Sequence, residues 1–113
     1  MIDKKAYQKM DYALCLLSAH ADGKDSGCII NSFHQVTSSF PAKFTIAVNR
    51  ENVTAAAVEQ AGSFCVTLLA HDAPAALIND FGYRSGRVAD KFSPYEVRRD
   101  EVGNPYLPGY PAV

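Results

Sequence analysis

A chain of 113 residues with a formal net charge of -1 fits one domain with one core, and it shows no broad electrostatic footprint for nucleic acid. With 48% apolar and 20% charged residues, and neither Gly nor Pro in excess, the composition argues against disorder and against a coiled coil. The apolar runs last only a few residues, far short of the roughly 20 needed to span a bilayer, so no membrane role is expected.

Polar residues follow the basic start of the chain, where a signal peptide would turn apolar, so the expected location is the cytoplasm. The three cysteines, Cys15, Cys28 and Cys65, each lie in an apolar run and form no C-x-x-C pair. They read as small buried hydrophobes in a reducing compartment. His20, His34 and His71 show no metal-ligand spacing, and no G-x-G-x-x-G or Walker loop is present.

In chain order, residues 3–10 are rich in helix formers and predict a short helix. Residues 12–19 predict a strand apolar on both faces. A turn follows, with Asp22-Gly23 as its hairpin signal. The stretch 27–41 predicts the antiparallel return strand, apolar at first, then polar, then broken at Phe40-Pro41. Residues 43–49 alternate with period two, placing Phe44, Ile46 and Val48 on one face of a third strand.

Thr54 is the expected N-cap of a helix over 55–61, and Gly62 its stop. Residues 63–69 predict a fourth strand. Asp72 suits the cap of a helix over 75–80, with Pro74 in its first turn and an end near Gly82. Residues 83–87 form a basic loop. Beyond Phe92 periodicity fades, and residues 104–111 carry three prolines, which keeps them out of a central strand. The expected frame is one mainly antiparallel domain of four strands and two or three short helices.

Three constellations carry chemistry. The polar strand end from Asn31 to Ser38 could offer backbone groups, Ser32, Gln35 and Thr37 to the edge of a heterocycle. Periodicity alone fits a water-facing strand better. The segment from Asn49 to Thr54 feeds a helix N-terminus, an anion site by its free N–H groups, or simply a capped and hydrated end. Arg84 and Arg87 flank a Ser-Gly turn with Lys91 behind it, suited to a phosphate or equally to a solvated turn paired with Asp80 or Asp90.

Three segments, taken in order, resemble the flavin reductase-like family of FMN-binding split barrels, which includes flavoredoxins and rubredoxin-linked flavoproteins. They are Gly27-Cys28-Ile29-Ile30-Asn31-Ser32-Phe33-His34-Gln35-Val36-Thr37-Ser38, then Val48-Asn49-Arg50-Glu51-Asn52-Val53-Thr54, then Phe81-Gly82-Tyr83-Arg84-Ser85-Gly86-Arg87 with Asp90-Lys91-Phe92 behind. The resemblance runs from about residue 12 to residue 92. It implies a mainly β fold with short helices, a six- or seven-stranded antiparallel Greek-key barrel. It also implies a homodimer with FMN at the interface.

Carried over by position, Asn31, Ser32, Gln35, Val36 and Thr37 would line the isoalloxazine. Asn49, Asn52 and Thr54 would approach the ribityl or phosphate end. Phe81, Arg84, Ser85 and Lys91 would complete the phosphate pocket. Family members continue past the position of Tyr106 with more strands, one bearing a Gly-Asp-His-like segment near the nicotinamide. This chain stops at Val113 without it, so a single domain over 1–113 with an incomplete barrel is expected.

The implied function is an FMN flavoprotein, either an NAD(P)H:flavin reductase or a flavoredoxin-type electron carrier, with rubredoxin as the kind of redox partner. The chemistry would belong to the flavin, so no catalytic acid or base is assigned. The rival reading is a non-catalytic dimeric split-barrel binding or assembly protein with an incomplete flavin site.

Overall fold

A computed structural model describes residues 14–69, 73–82 and 91–113. The predicted helix over 3–10, the Asp72 cap and the Arg84–Ser85 loop lie outside these residues.

Strands β1 (Cys15–Ala21) and β2 (Lys24–Ile30) form the expected antiparallel hairpin, with Leu17 opposite Cys28. Asp22 and Gly23 turn it with φ of 55° and 72°, the left-handed pair that matches strand twist in a two-residue turn. β5 (Cys65–Leu68) pairs on the other side of β1, giving the order β2-β1-β5. Central β1 is buried from Cys15 to Ala19. Successive side chains of a strand point to opposite faces, so it feeds two cores. Cys15 and Leu17 join Cys28, Ile30 and Val66 on one face, while Leu16 joins Leu77, Phe81, Phe92 and Leu107 on the other. All three cysteines are free thiols buried in this sheet, as expected.

Helix α1 (Val53–Ala61) packs on the first face against β1 and β2. Its cap is Asn52 rather than Thr54: the Asn52 side chain accepts from Thr54 N–H, and Thr54 itself is buried. Gly62 ends the helix in the left-handed region at φ 70°, as expected. Helix α2 (Ala75–Gly82) covers the second face with Leu77 and Phe81. Burying two such side chains contributes about 1.5–3 kcal/mol each.

Three expectations change. The stretch 27–41 is not one strand: β2 ends at Ile30, and a new strand β3 (His34–Thr37) pairs with β4 (Lys43–Thr45) in a separate two-stranded sheet. The third strand ends at Thr45 instead of 49, because Ser32 Oγ takes both backbone groups of Ala47 in place of a ladder partner. The strand tally exceeds four. The ribbon β6 (Arg98–Arg99) with β7 (Pro105–Tyr106) lies beyond Phe92, and residues 111–113 run along β5, with Val66 and Val113 exchanging two bonds of 2.8 Å. The proline-rich segment does stay off central positions. Pro111 still contributes its carbonyl, which accepts from Leu68 N–H at 2.8 Å. All the pairing is antiparallel, and the described residues close no barrel.

Candidate functional site

The β3–β4 hairpin leaves the main sheet where the sequence turns polar. Gln35 pairs with Phe44, but Thr37 pairs with Lys43, so Val36 is bulged out of the ladder. Such bulges re-aim side chains and are common beside sites. Phe33 and Phe44 stack at 5.0 Å and 12°, and Phe33 packs on the first core, which anchors the hairpin. Asn31, Gln35 and Val36 are exposed, Val36 by 58%. Gln35 Nε2 donates to the carbonyl of Thr37 at 2.8 Å. Thr37 Oγ1 is buried with no hydrogen-bond partner among the described residues; Thr67 Oγ1, deep in β5, is the other such atom. Buried hydroxyls are nearly always partnered, which sets this orphan on a bulged, exposed hairpin apart.

The second predicted segment meets the first through Ser32. Its hydroxyl donates to the Ala47 carbonyl at 2.5 Å and accepts from Ala47 N–H at 3.3 Å, two residues before Asn49. Asn49 Oδ1 accepts from Glu51 N–H and its carbonyl from Asn52 N–H, which curls the chain into α1. Asn49 and Asn52 thus use their side-chain oxygens internally and keep their amide N–H groups as donors. Burial pushes the Cys28 thiol up, against the opposing influence of Thr54, the Lys91 charge and Asn52. Cys65 is pushed up to about 11 by burial, with Asp100 adding to it. Neither is a ready nucleophile at neutral pH.

The remaining predicted residues divide. Arg84 and Ser85 fall outside the described residues. Phe81 is buried in the second core against Phe92 and Tyr95. Lys91 is buried, and its ammonium donates to the carbonyls of Gly27 at 3.0 Å and Phe81 at 3.2 Å. It thus ties β2 to the end of α2. Ser32 ties the first segment to Ala47, just ahead of the second, whereas Phe81 packs in the core on the other face of the sheet and Lys91 bonds its carbonyl.

Sequence reasoning missed two features. An open groove of about 640 Å³ is lined by Val48, Arg50, Ala55, Ala56 and Glu59. Its signal was Glu59 standing four residues after Ala55 and three after Ala56, which puts it beside both on one helix face. The second is a cluster at the β1–β2 turn. Arg99 holds Asp25 through two bonds of 2.8 and 2.9 Å, and His20 Nδ1 lies 2.7 Å from the same carboxylate. No sequence spacing links residues 74 positions apart. Among the described residues no group of three or more His, Cys, Asp or Glu could hold a metal ion.

Residues 7–113 match the model of the flavin reductase like domain. The chain is 32% identical over 106 residues to a high molecular weight rubredoxin from Moorella thermoacetica, covering 94% of this chain and 46% of that protein. It is also 32% identical over 106 residues to a ferric-chelate reductase (NAD(P)H) from Archaeoglobus fulgidus, covering 94% and 62%. The chain therefore spans between about half and three-fifths of these relatives. An FMN-binding protein from Thermus thermophilus superposes with a TM-score of 0.81 at 15% identity, covering 97% of this chain and 60% of that one. The fold expected from the sequence, a mainly β antiparallel frame of the split-barrel kind, is the one found.

Proposed function

This chain belongs to the flavin reductase-like family, and from that membership we propose that it binds FMN and passes electrons through it, as an NAD(P)H:flavin reductase or a flavoredoxin-type carrier. The observation that carries the reading is the orphaned hydroxyl of Thr37 on a bulged hairpin beside Ser32 and Gln35. Amides, hydroxyls and backbone groups with no carboxylate suit the mixed donors and acceptors of an uncharged heterocycle edge. The residues present therefore fit the flavin.

In this reading Asn31, Ser32, Gln35, Val36 and Thr37 hold the isoalloxazine edge. Val36 covers it with an apolar surface and excludes water. Asn49 and Asn52 turn their amide N–H groups to the ribityl chain or phosphate, on a backbone that Thr54 fixes from below. Arg84 and Ser85 take phosphate oxygens, and Lys91 anchors the packing behind Phe81. Bound FMN would supply the hydride and single-electron chemistry. The chain's own residues bind it, orient it and bond its edge.

NAD(P)H as donor is supported by the name of the Archaeoglobus relative, and a rubredoxin-like acceptor by that of the Moorella relative. We also read residues 1–113 as one such domain, working as a cytoplasmic homodimer with the flavin between copies.

Purified protein should be yellow, with flavin absorbance that survives desalting. Colourless protein that leaves FMN fluorescence unquenched would overturn the reading. Arg84→Ala should weaken FMN more than riboflavin, because it removes a phosphate contact and spares the ring. NADH oxidation under anaerobic conditions separates a reductase from a carrier.

A further inference from the structure

The β3–β4 hairpin carries a single charge. From Asn31 to Val48, across the polar strand end, the turn and the return strand, Lys43 is the only charged residue with His counted neutral, and no carboxylate is present. Lys43 opens β4, where it is exposed and pairs with Thr37 just past the bulge. Antiparallel partners stand roughly 5 Å apart at Cβ on one face of a ribbon. The next residue, Phe44, turns to the opposite face and stacks on Phe33 at 5.0 Å. The Lys43 stem therefore starts on the same face as Thr37, whose buried hydroxyl lacks a partner among the described residues. A lysine ammonium is a compact point charge on a flexible stem, so it can follow charge that appears beside it.

Resting on the flavin reading above, in which Thr37 holds the ring edge, we infer that Lys43 sets the reduction potential of the bound flavin by stabilising its reduced, anionic form. A hydride from a nicotinamide brings two electrons and one proton. A C–H bond of the donor breaks, an N–H bond forms on the flavin ring, the donor becomes a cation and the ring gains one full negative charge. The oxidised ring is neutral and gains little from a neighbouring ammonium. A cation close to a group favours its charged form, so Lys43 acts on the reduced state and shifts the couple. Its role is to set the potential, not to anchor the cofactor.

The test is a spectroelectrochemical titration of the FMN-loaded full chain and its Lys43→Gln, Lys43→Glu and Lys43→Arg variants. The Kd for oxidised FMN is measured alongside by fluorescence quenching. Lys43→Gln should leave that Kd unchanged and weaken reduced FMN about tenfold, the size of one charge-assisted contact. For a two-electron couple this lowers the midpoint potential by about 30 mV. Lys43→Glu should lower it further, and Lys43→Arg should restore it. Melting temperatures without flavin should match the wild type, because the side chain is exposed. Unchanged potentials in Lys43→Gln and Lys43→Glu, with FMN still bound, overturn the inference and leave the flavin role standing. Lys43 is then a charge that guards a strand edge. Equal weakening of oxidised and reduced FMN makes Lys43 an anchor and also overturns it. So does a potential that Lys43→Arg fails to restore, because charge is then not the cause. Wild-type protein that binds no FMN overturns the flavin role and the inference together.

Discussion

Gly27 sits where the second face of the sheet meets its cover. A Cβ there would come 2.8 Å from Phe92 Cζ and 3.3 Å from Leu16 Cδ1, and both neighbours are core residues. Gly27→Ala should therefore destabilise the fold by about 1–3 kcal/mol, read from urea midpoints at unchanged slope. A neutral result would mean that Phe92 can withdraw. Asp25 gives a second residue-scale outcome. The Arg99 guanidinium, bonded to its carboxylate, holds it below the usual carboxylate range against the cost of burial, with His20 assisting. A depressed folded pKa stabilises above the unfolded value of about 3.9 and loses that contribution as pH falls through the folded value. Asp25→Asn should thus lower stability at pH 7 by up to about 1 kcal/mol and flatten its dependence on pH below 4. A variant with an unaltered acid limb would show that Arg99 and Asp25 do not pair in solution.

At the scale of elements, α1 decides how the two halves of the candidate site meet. The sequence placed the helix and its glycine stop correctly but began it two residues late. Thr54 and Asn52 are both competent caps, and composition cannot rank them. The fold ranks them, because Thr54 is drawn into the core against Cys28 while Asn52 stays where its side chain reaches the Thr54 N–H. Asn52→Ala should cost about 1 kcal/mol in denaturation by urea, whereas Thr54→Asn should not restore the cap. The hairpin shows the same limit. The run from Gly27 to Thr37 favours strand throughout, but nothing local says that its second half must pair with β4. Ser32 makes that decision by occupying the backbone of Ala47.

At the scale of the molecule, β3–β4 is a two-stranded sheet apart from the main one, with Val36 58% and Phe40 100% exposed. An isolated two-stranded hairpin is marginal in water, and exposed apolar groups on it favour a cover. In the proposed function that cover is a second copy. Light scattering should then give twice the chain mass of 12.3 kDa at micromolar concentration. Val36→Glu should return the protein to the single-chain mass and weaken flavin binding with it. A wild-type mass of one chain would remove the interface from the proposal.

The sequence by itself determined the β1–β2 hairpin, the buried character of β1, both helices and the order of the three family segments. Each of these is encoded within a few residues by alternation, turn chemistry or caps, so neighbours in sequence suffice to read it. Tertiary structure alone decided what lies far apart: the tail of residues 111–113 along β5, the Arg99–Asp25 pair, the inward turn of Lys91 and the groove that brings Val48 and Arg50 beside Ala55 and Glu59. The reason is that these depend on which backbone donors and charges the packed sheet leaves without partners. A linear pattern carries no record of that remainder.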